Sequence, residues 1–303
     1  MTVEQVTEFG SAFDDVFFLI GGALLLIEIA KGLFSGSLKR RDWLDMLASA
    51  STQIPYLIVE VFLLSLAYIG FVFVADAFVT WTFPVTVTTV LLAILVADFT
   101  YYWEHRLAHR IRILWTQHAV HHSSRHMNIL VGVRFGPFEG FISALLHFPL
   151  ILIGFPPELV FVGIIVVLAY QTWIHTELVG RLGILDAVLN TPSNHRVHHG
   201  CDDKYIDRNY GGILIVWDRL FGTYQREEET PKYGLKRDYK SVNPISVWFS
   251  EWPRFWRDLS AARSLNEAWM RVFGTPEWSP SPKPATIEAD AAAKPAPPAQ
   301  SPR

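Results

Sequence analysis

Every histidine in the chain lies between residues 105 and 199, and nine of the eleven follow a regular scheme. His105 and His109 form an HxxxH pair. His118, His121 and His122 form an HxxHH box, and His195, His198 and His199 repeat that box seventy-seven residues later, with His175 alone between the two. On a helix, residues three and four apart share a face, so each group can converge its imidazoles. Imidazole binds zinc, copper, iron and nickel, which leaves the metal open. The single cysteine, Cys201, excludes an internal disulfide or a thiolate cage, so nitrogen and oxygen must supply the ligands. A structural zinc site needs four ligands. Nine imidazoles in complementary groups therefore point to two metal ions sharing one cage.

Other groups invite a supporting role or a plain structural one. Asp98 shares a helical face with Tyr102, His105 and His109. A carboxylate there either accepts a ligand's free ring N–H or makes a packing contact. Glu177, two residues after His175, carries the same pair of readings. Asn194 reads as a helix N-cap for the third box or as a hydrogen-bond donor to that shell. His126 and His147 are read outside the ligand set, His147 as a core or tunnel residue. Trp217 to Thr223 reads as a packing motif without chemistry.

The elements that position these residues are membrane helices. The 303-residue chain is 50% hydrophobic, 14% aromatic and only 18% charged, with a mean hydropathy of +0.23. That is too apolar for an ordinary soluble enzyme. A net charge of −3, from 26 Lys+Arg against 29 Asp+Glu, supplies no footprint for nucleic acid. Residues 1–15 hold four acids and no base, unlike the start of a cleaved signal peptide, so the following apolar run is expected to stay. Candidate spans are 16–34, 54–75, 77–97, 140–157 and 159–176, of which the last two form a hairpin interrupted at Gly154-Phe155-Pro156-Pro157 and further disrupted by Pro149. Glu28 and Glu60, within the first two, should face protein or interface.

Lys31, Lys39, Arg40 and Arg41 follow the first span, and Arg106, Arg110, Arg112, Arg125 and Arg134 follow the third. The positive-inside rule makes those segments cytoplasmic and puts the N-terminus outside. The expected fold is an all-α integral membrane protein with four to five transmembrane or re-entrant helices and a cytosolic helical cap holding a histidine-caged di-metal site. Its expected parts are an N-terminal segment (1–15), three membrane helices (16–102), a histidine-box region (103–225) including the hairpin 140–176, an interfacial cap (226–277) with Trp248, Trp252, Trp256 and Trp269, and a disordered tail (278–303).

The three boxes on a multi-pass helical chain resemble the fatty acid hydroxylase and sterol desaturase superfamily. The likeness covers roughly residues 91–225. It includes Asp98-Phe99-Thr100-Tyr101-Tyr102-Trp103, His121-His122-Ser123-Ser124, Asn194 to Gly200, Asn209-Tyr210-Gly211-Gly212 and Trp217 to Thr223. Trp173-Ile174-His175-Thr176-Glu177 looks like the alkylglycerol monooxygenase branch, which cleaves ether lipids with a reduced pterin. The resemblance implies that His105, His109, His118, His121, His122, His175, His195, His198 and His199 ligate two irons. It also implies hydroxylation or desaturation of a sterol, fatty acyl or ether lipid with dioxygen. No dinucleotide fingerprint or haem-domain signature is found, so a separate redox protein or a reduced pterin must supply electrons. The metal site is expected on the cytoplasmic face, of the inner membrane in a bacterium or the endoplasmic reticulum in a eukaryote. The rivals are a membrane zinc hydrolase, with Glu104 or Glu177 as base, and a metal transport or storage protein. Transport would set ligands at the bilayer midplane, where only His147 is expected.

Overall fold

Long apolar runs leave the backbone no partner but itself, and in this chain they fold as helices. The computed structural model describes residues 1–280, so the stretch read as a disordered tail lies outside them from residue 281 on. Helix α1 (Val3–Phe34) starts on a Thr2 capping box with Gln5, α2 is Arg40–Ser51, and α3 is Gln53–Phe78. Helix α4 (Val87–Arg110) is capped by Thr86, and α5 (Arg112–His121) follows after a single residue. Helix α6 is Glu139–Leu152 and α7 is Pro157–Tyr170, which a tight turn of helix extends to Ile174. Short helices complete the chain: α8 (Leu185–Val188), α9 (Pro192–His198), α10 (Val216–Leu220), α11 (Pro244–Trp248), α12 (Trp252–Ser260) and α13 (Leu265–Phe273). Among the described residues the β-structure is two isolated bridges, Leu189–Leu214 and Gly200–Tyr233.

Four segments are long and apolar enough to cross a membrane: 3–34, 40–78, 87–110 and 157–174. Helix α6, at 14 residues, reaches only about 21 Å against a hydrocarbon thickness of about 30 Å. The molecule is an all-helical membrane protein. Helices α1 and α3 turn Phe18, Leu19, Ile58, Phe62 and Phe73 outward, as lipid contact requires. Glu28 instead accepts hydrogen bonds from Ile129 N and the Thr176 hydroxyl, and Glu60 accepts from Phe141 N. Their charges thus meet protein, not lipid.

The structure moves two boundaries. The expected span 77–97 breaks at residues 79–86, which are extended around Pro84; the helix restarts at Val87 and runs unbroken through the first histidine pair. Phe83 N donates to Gly154 O at 2.8 Å, and Phe83 packs on Phe155, so this loop is tied to the hairpin turn. Pro149 does not break its helix. It sits within the last turn of α6, so the intrahelical hydrogen bond it removes lies close to the helix end and the helix continues to Leu152. Of the four expected interfacial tryptophans, Trp256 and Trp269 are exposed while Trp248 and Trp252 are half-buried, Trp248 donating to the Ser51 hydroxyl.

Helix α7 lies between α1 and α4, and α6 packs on α3. The α4–α7 contact is close because Gly163 has no side chain: a Cβ there would lie 2.9 Å from Ala97 Cβ and 3.2 Å from Ala93 O. Small residues at such crossings let membrane helices approach. Gly163→Val should therefore force α4 and α7 apart, costing about 1–3 kcal/mol. Thermal unfolding of the purified variant in detergent checks this, and an unchanged transition would contradict the packing argument.

Candidate metal centre

Nine histidines meet in two groups. His105, His109, His118, His122 and His198 form one, and His121, His175, His195 and His199 the other; within each, the ligand atoms lie within 4.8 Å of one another. All are buried except His109, which is partly so. The boxes do not each converge on one point. From α5, His118 and His122, one turn apart, enter the group of five while His121 enters the group of four. In the third box His195 and His199 enter the group of four and His198 crosses to the group of five. Each HxxHH box thus serves both groups. The rings of His122 and His199, one from each, stack with centroids 4.5 Å apart.

The hydrogen bonds fix what these rings offer. His105 Nδ1 donates to Tyr210 O at 2.9 Å, His198 Nδ1 to Arg208 O at 2.9 Å, His175 Nδ1 to Gln171 O at 2.8 Å, and His118 Nδ1 to the Glu139 carboxylate at 2.8 Å. Carbonyls and carboxylates only accept, so each Nδ1 carries a proton, which leaves Nε2 as the nitrogen that can present a lone pair. Yet the Nε2 atoms of His105 and His118 face one another at 2.9 Å, and that of His175 faces His195 Nε2 at 2.8 Å, the His195 Nδ1 being buried without a partner. Two lone pairs at that distance repel unless a cation lies between them. Ligand nitrogens held about 2.0–2.1 Å from one ion at right angles would themselves be about 2.9 Å apart. His109 Nε2 is likewise buried without a hydrogen-bond partner. The residues present fit two metal ions.

Burial, reinforced by neighbouring imidazoles, holds His121, His122, His195, His198 and His199 far below the ordinary histidine pKa. Burial also pushes His175 down to about 4. The rings stay neutral, which is the ligating form.

The loop 207–211 presents two of the carbonyls that orient these rings. Asp207 and Asn209 have φ of +59° and +56°, a left-handed conformation that side chains rarely adopt and that surrounding contacts must hold. Buried Asp218 does so, accepting from Tyr210 N, Gly211 N and the Thr223 hydroxyl at 2.6–2.8 Å. Asn209 is fastened through Nδ2 to Asn194 O and Gln225 O. Burial would raise the Asp207 carboxyl, but hydrogen bonds and charge from His109 and Arg110 outweigh it and hold it down at about 2. Asp207 Oδ1 lies 3.6 Å from His109 Nδ1.

The three supporting residues read from sequence take other positions. Asp98 reaches no imidazole; it accepts from Ile213 N, Leu214 N and the Trp217 indole at 2.6–3.1 Å, anchoring the segment after the 207–211 loop to α4. Glu177 is exposed and accepts from the Tyr233 hydroxyl. Asn194 is not an N-cap, because α9 begins at Pro192 with Thr191 in the cap position; its side chain holds Asp186 O and Leu189 O. His126 lies 3.3 Å from Asp42 and joins neither group. Both ring nitrogens of His147 face carbonyls, Ser143 O and Ala97 O.

Sequence reading missed Glu139, Asp218 and Arg134. Arg134 is fully buried; it pairs with Asp45 at 3.0 Å and donates to Val120 O, fastening α2 to the second box. A lone charge in an apolar stretch was the available signal for Arg134 and Glu139, whereas Asp218 is followed directly by Arg219. Backbone acceptors such as Tyr210 O carry none. Gly132 is needed for another reason: a Cβ there would lie 2.9 Å from His175 Nδ1.

Comparison with known proteins adds a family. Residues 90–223 match the family model described as fatty acid hydroxylase. Alkylglycerol monooxygenase of Danio rerio is 37% identical over 284 residues, covering 92% of this chain and 62% of that protein. Its counterpart from Homo sapiens is 33% identical over 288 residues with the same coverage. The ornithine lipid hydroxylase of Rhizobium tropici is 38% identical over 137 residues, 45% of this chain and 41% of that protein. The chain thus spans 62% of the length of the first two relatives. No solved structure matches it.

Two sets of variants follow from the geometry. His121→Ala and His198→Ala should each lower the metal bound by purified protein, one from each group, while His126→Ala should not. Glu139→Leu, which removes the acceptor of His118 Nδ1, should weaken metal affinity by about 10- to 100-fold. Elemental analysis and competition with a chelator measure both; full metal retention in His198→Ala would contradict the assignment.

Proposed function

Residues 90–223 match the fatty acid hydroxylase family model, and from that premise we propose that the chain is a membrane-bound oxygenase that oxidises a C–H bond of a lipid with dioxygen. The observation that carries this reading is the pair of histidine groups whose Nε2 atoms face one another beside a narrow cavity. Two irons would be held by His105, His109, His118, His122 and His198 and by His121, His175, His195 and His199. When bound, they would supply dioxygen activation and the oxidising power for the C–H bond. The similarity to alkylglycerol monooxygenases favours an ether-linked glycerol lipid over a sterol or a free fatty acid.

The chain's own residues bind, orient and exclude water. The cavity is walled by Leu114, Phe135, Ile142 and Leu168 and ends on His105, His118, His121 and His175, so an alkyl chain can lie along apolar side chains with its reacting carbon at the imidazoles. Glu139 and the 207–211 loop keep the ring protons on Nδ1, away from that carbon. A second cavity reaches the other ligands, His109, His122, His198 and His199, past Trp115 and Lys236. It offers a reductant its own route, as a reaction needing two electrons per dioxygen requires. The reductant is a reduced pterin or a separate electron-transfer protein. The basic segments after the first span and after α4 support a cytoplasmic metal face.

Purified protein in lipid nanodiscs should bind about two irons and convert an alkylglycerol, in the presence of oxygen and a reduced pterin or other donor, to an oxidised product. Metal analysis and product analysis with and without oxygen test this. Tight zinc with oxygen-independent hydrolysis would replace the oxygenase by a hydrolase.

A further inference from the structure

Hydrogen bonds within the protein use up most of the polar groups that line the apolar cavity. Glu139 spends both carboxylate oxygens, on His118 Nδ1 and Gly136 N. Gln171 takes the Tyr101 hydroxyl and donates to Val167 O, and Gln117 accepts from Phe138 N. Two groups are left over. Glu104 is 11% exposed, on the same face of α4 as the cavity residues Tyr101 and Ala108. Its Oε2 accepts from the Ser143 hydroxyl at 2.9 Å and lies 3.5 Å from His147 Nδ1, while its Oε1 makes no hydrogen bond among the described residues. The Tyr56 hydroxyl, on the wall formed by α3, likewise has no partner there.

A third group stands behind Tyr56. Glu60 is 2% exposed and its Oε2 is buried without a partner. It borders the cavity at Gly140, where a Cβ would lie 2.8 Å from the Tyr56 hydroxyl and 3.0 Å from Glu60 Oε2. A buried carboxylate oxygen without a donor is costly, and the missing partner must itself donate. No lysine or arginine lines this cavity, so an anionic headgroup would meet carboxylates with nothing to neutralise it.

We propose that Glu104, assisted by Tyr56, is the specificity-determining residue that accepts a hydroxyl of an uncharged, hydroxyl-bearing lipid and so sets which carbon faces the histidines. The proposal rests on this cavity being the lipid site. Glu104 lies one residue before His105 on α4, so a hydroxyl bound to it is carried on the same rigid helix as a metal-facing ring. An anionic fatty acid finds no lysine or arginine to pair with in this cavity, whereas a neutral glycerol lipid needs none.

The test is binding of 1-O-hexadecylglycerol, its dimethyl ether and hexadecylamine to the full chain in nanodiscs, measured by competition with radiolabelled alkylglycerol. A hydrogen bond from the lipid hydroxyl to the unpartnered Glu104 Oε1 predicts that the wild type binds the diol about tenfold more tightly than the ether. Glu104→Leu should erase that preference, Glu104→Gln should keep part of it because an amide oxygen still accepts, and Tyr56→Phe should reduce it. Bound metal is measured in each variant. If Glu104→Leu does not fold, the other two variants carry the test. An undiminished preference in the variants, no preference in the wild type, or tighter binding of the amine would each overturn the proposal. Preference without oxidation would sink the oxygenase reading alone; oxidation without preference would sink this one alone.

Discussion

The whole arrangement depends on keeping nine imidazoles together in a largely buried volume with their ligating nitrogens turned inward. Without a cation the arrangement is repulsive, so the protein must hold each ring from behind. For four of the nine it does so through Nδ1: Tyr210 O, Arg208 O, Gln171 O and the Glu139 carboxylate each accept one hydrogen bond. Three of the four acceptors are backbone carbonyls, whose positions follow from the fold itself. Metal binding and folding are therefore coupled, since the ring orientations exist only when the loop and helices behind them are in place.

That requirement explains two buried aspartates that touch no histidine. Asp98 on α4 grips Ile213 N, Leu214 N and Trp217, and Asp218 on α10 grips Tyr210 N and Gly211 N. Together they lock the segment 207–218 against the helix that carries His105 and His109. The positive φ values at Asp207 and Asn209 are affordable only inside such a clamp. Arg134 and Asp45 do the equivalent for the second box. A buried ion pair adds little net stability, yet removing one partner is severe, so pairs of this kind hold geometry more than they add free energy.

How legible the site was depended on whether side chains or backbone carried it. The nine histidines stood out because residue type and helical spacing are both written in the sequence. The helices did too, wherever an apolar run was long. The break at residues 79–86 was hidden because Pro84 sits inside a stretch that is apolar by composition. The hydrogen bond from Phe83 N to the distant Gly154 O and the packing of Phe83 on Phe155, which fix it, are tertiary. The splitting of each HxxHH box between two groups could not be read from spacing, since i, i+3 and i+4 all share one helical face and only the facing helix decides which ring points where. Asn194 was misplaced as a cap because Thr191-Pro192 already begins the helix, a threonine followed by a proline at the first turn.

The same geometry weighs on the readings that compete with an oxygenase. A transport path needs ligands with free lone pairs within the bilayer, and His147 is the histidine set among the membrane helices away from both groups. Its ring nitrogens face Ser143 O and Ala97 O, so neither is turned toward a passing ion. Of the two possible bases for hydrolysis, Glu177 is exposed and tied to Tyr233, away from the cavity that ends on His105 and His118, whereas Glu104 lines that cavity. What is left is a ligand set larger than one zinc ion requires, divided five and four, with one cavity apolar enough for a lipid and another reaching the opposite ligands. Separate entries for a greasy substrate and a polar reductant are what a redox centre at a membrane surface needs, and neither a single-metal hydrolase nor a metal store has a use for both.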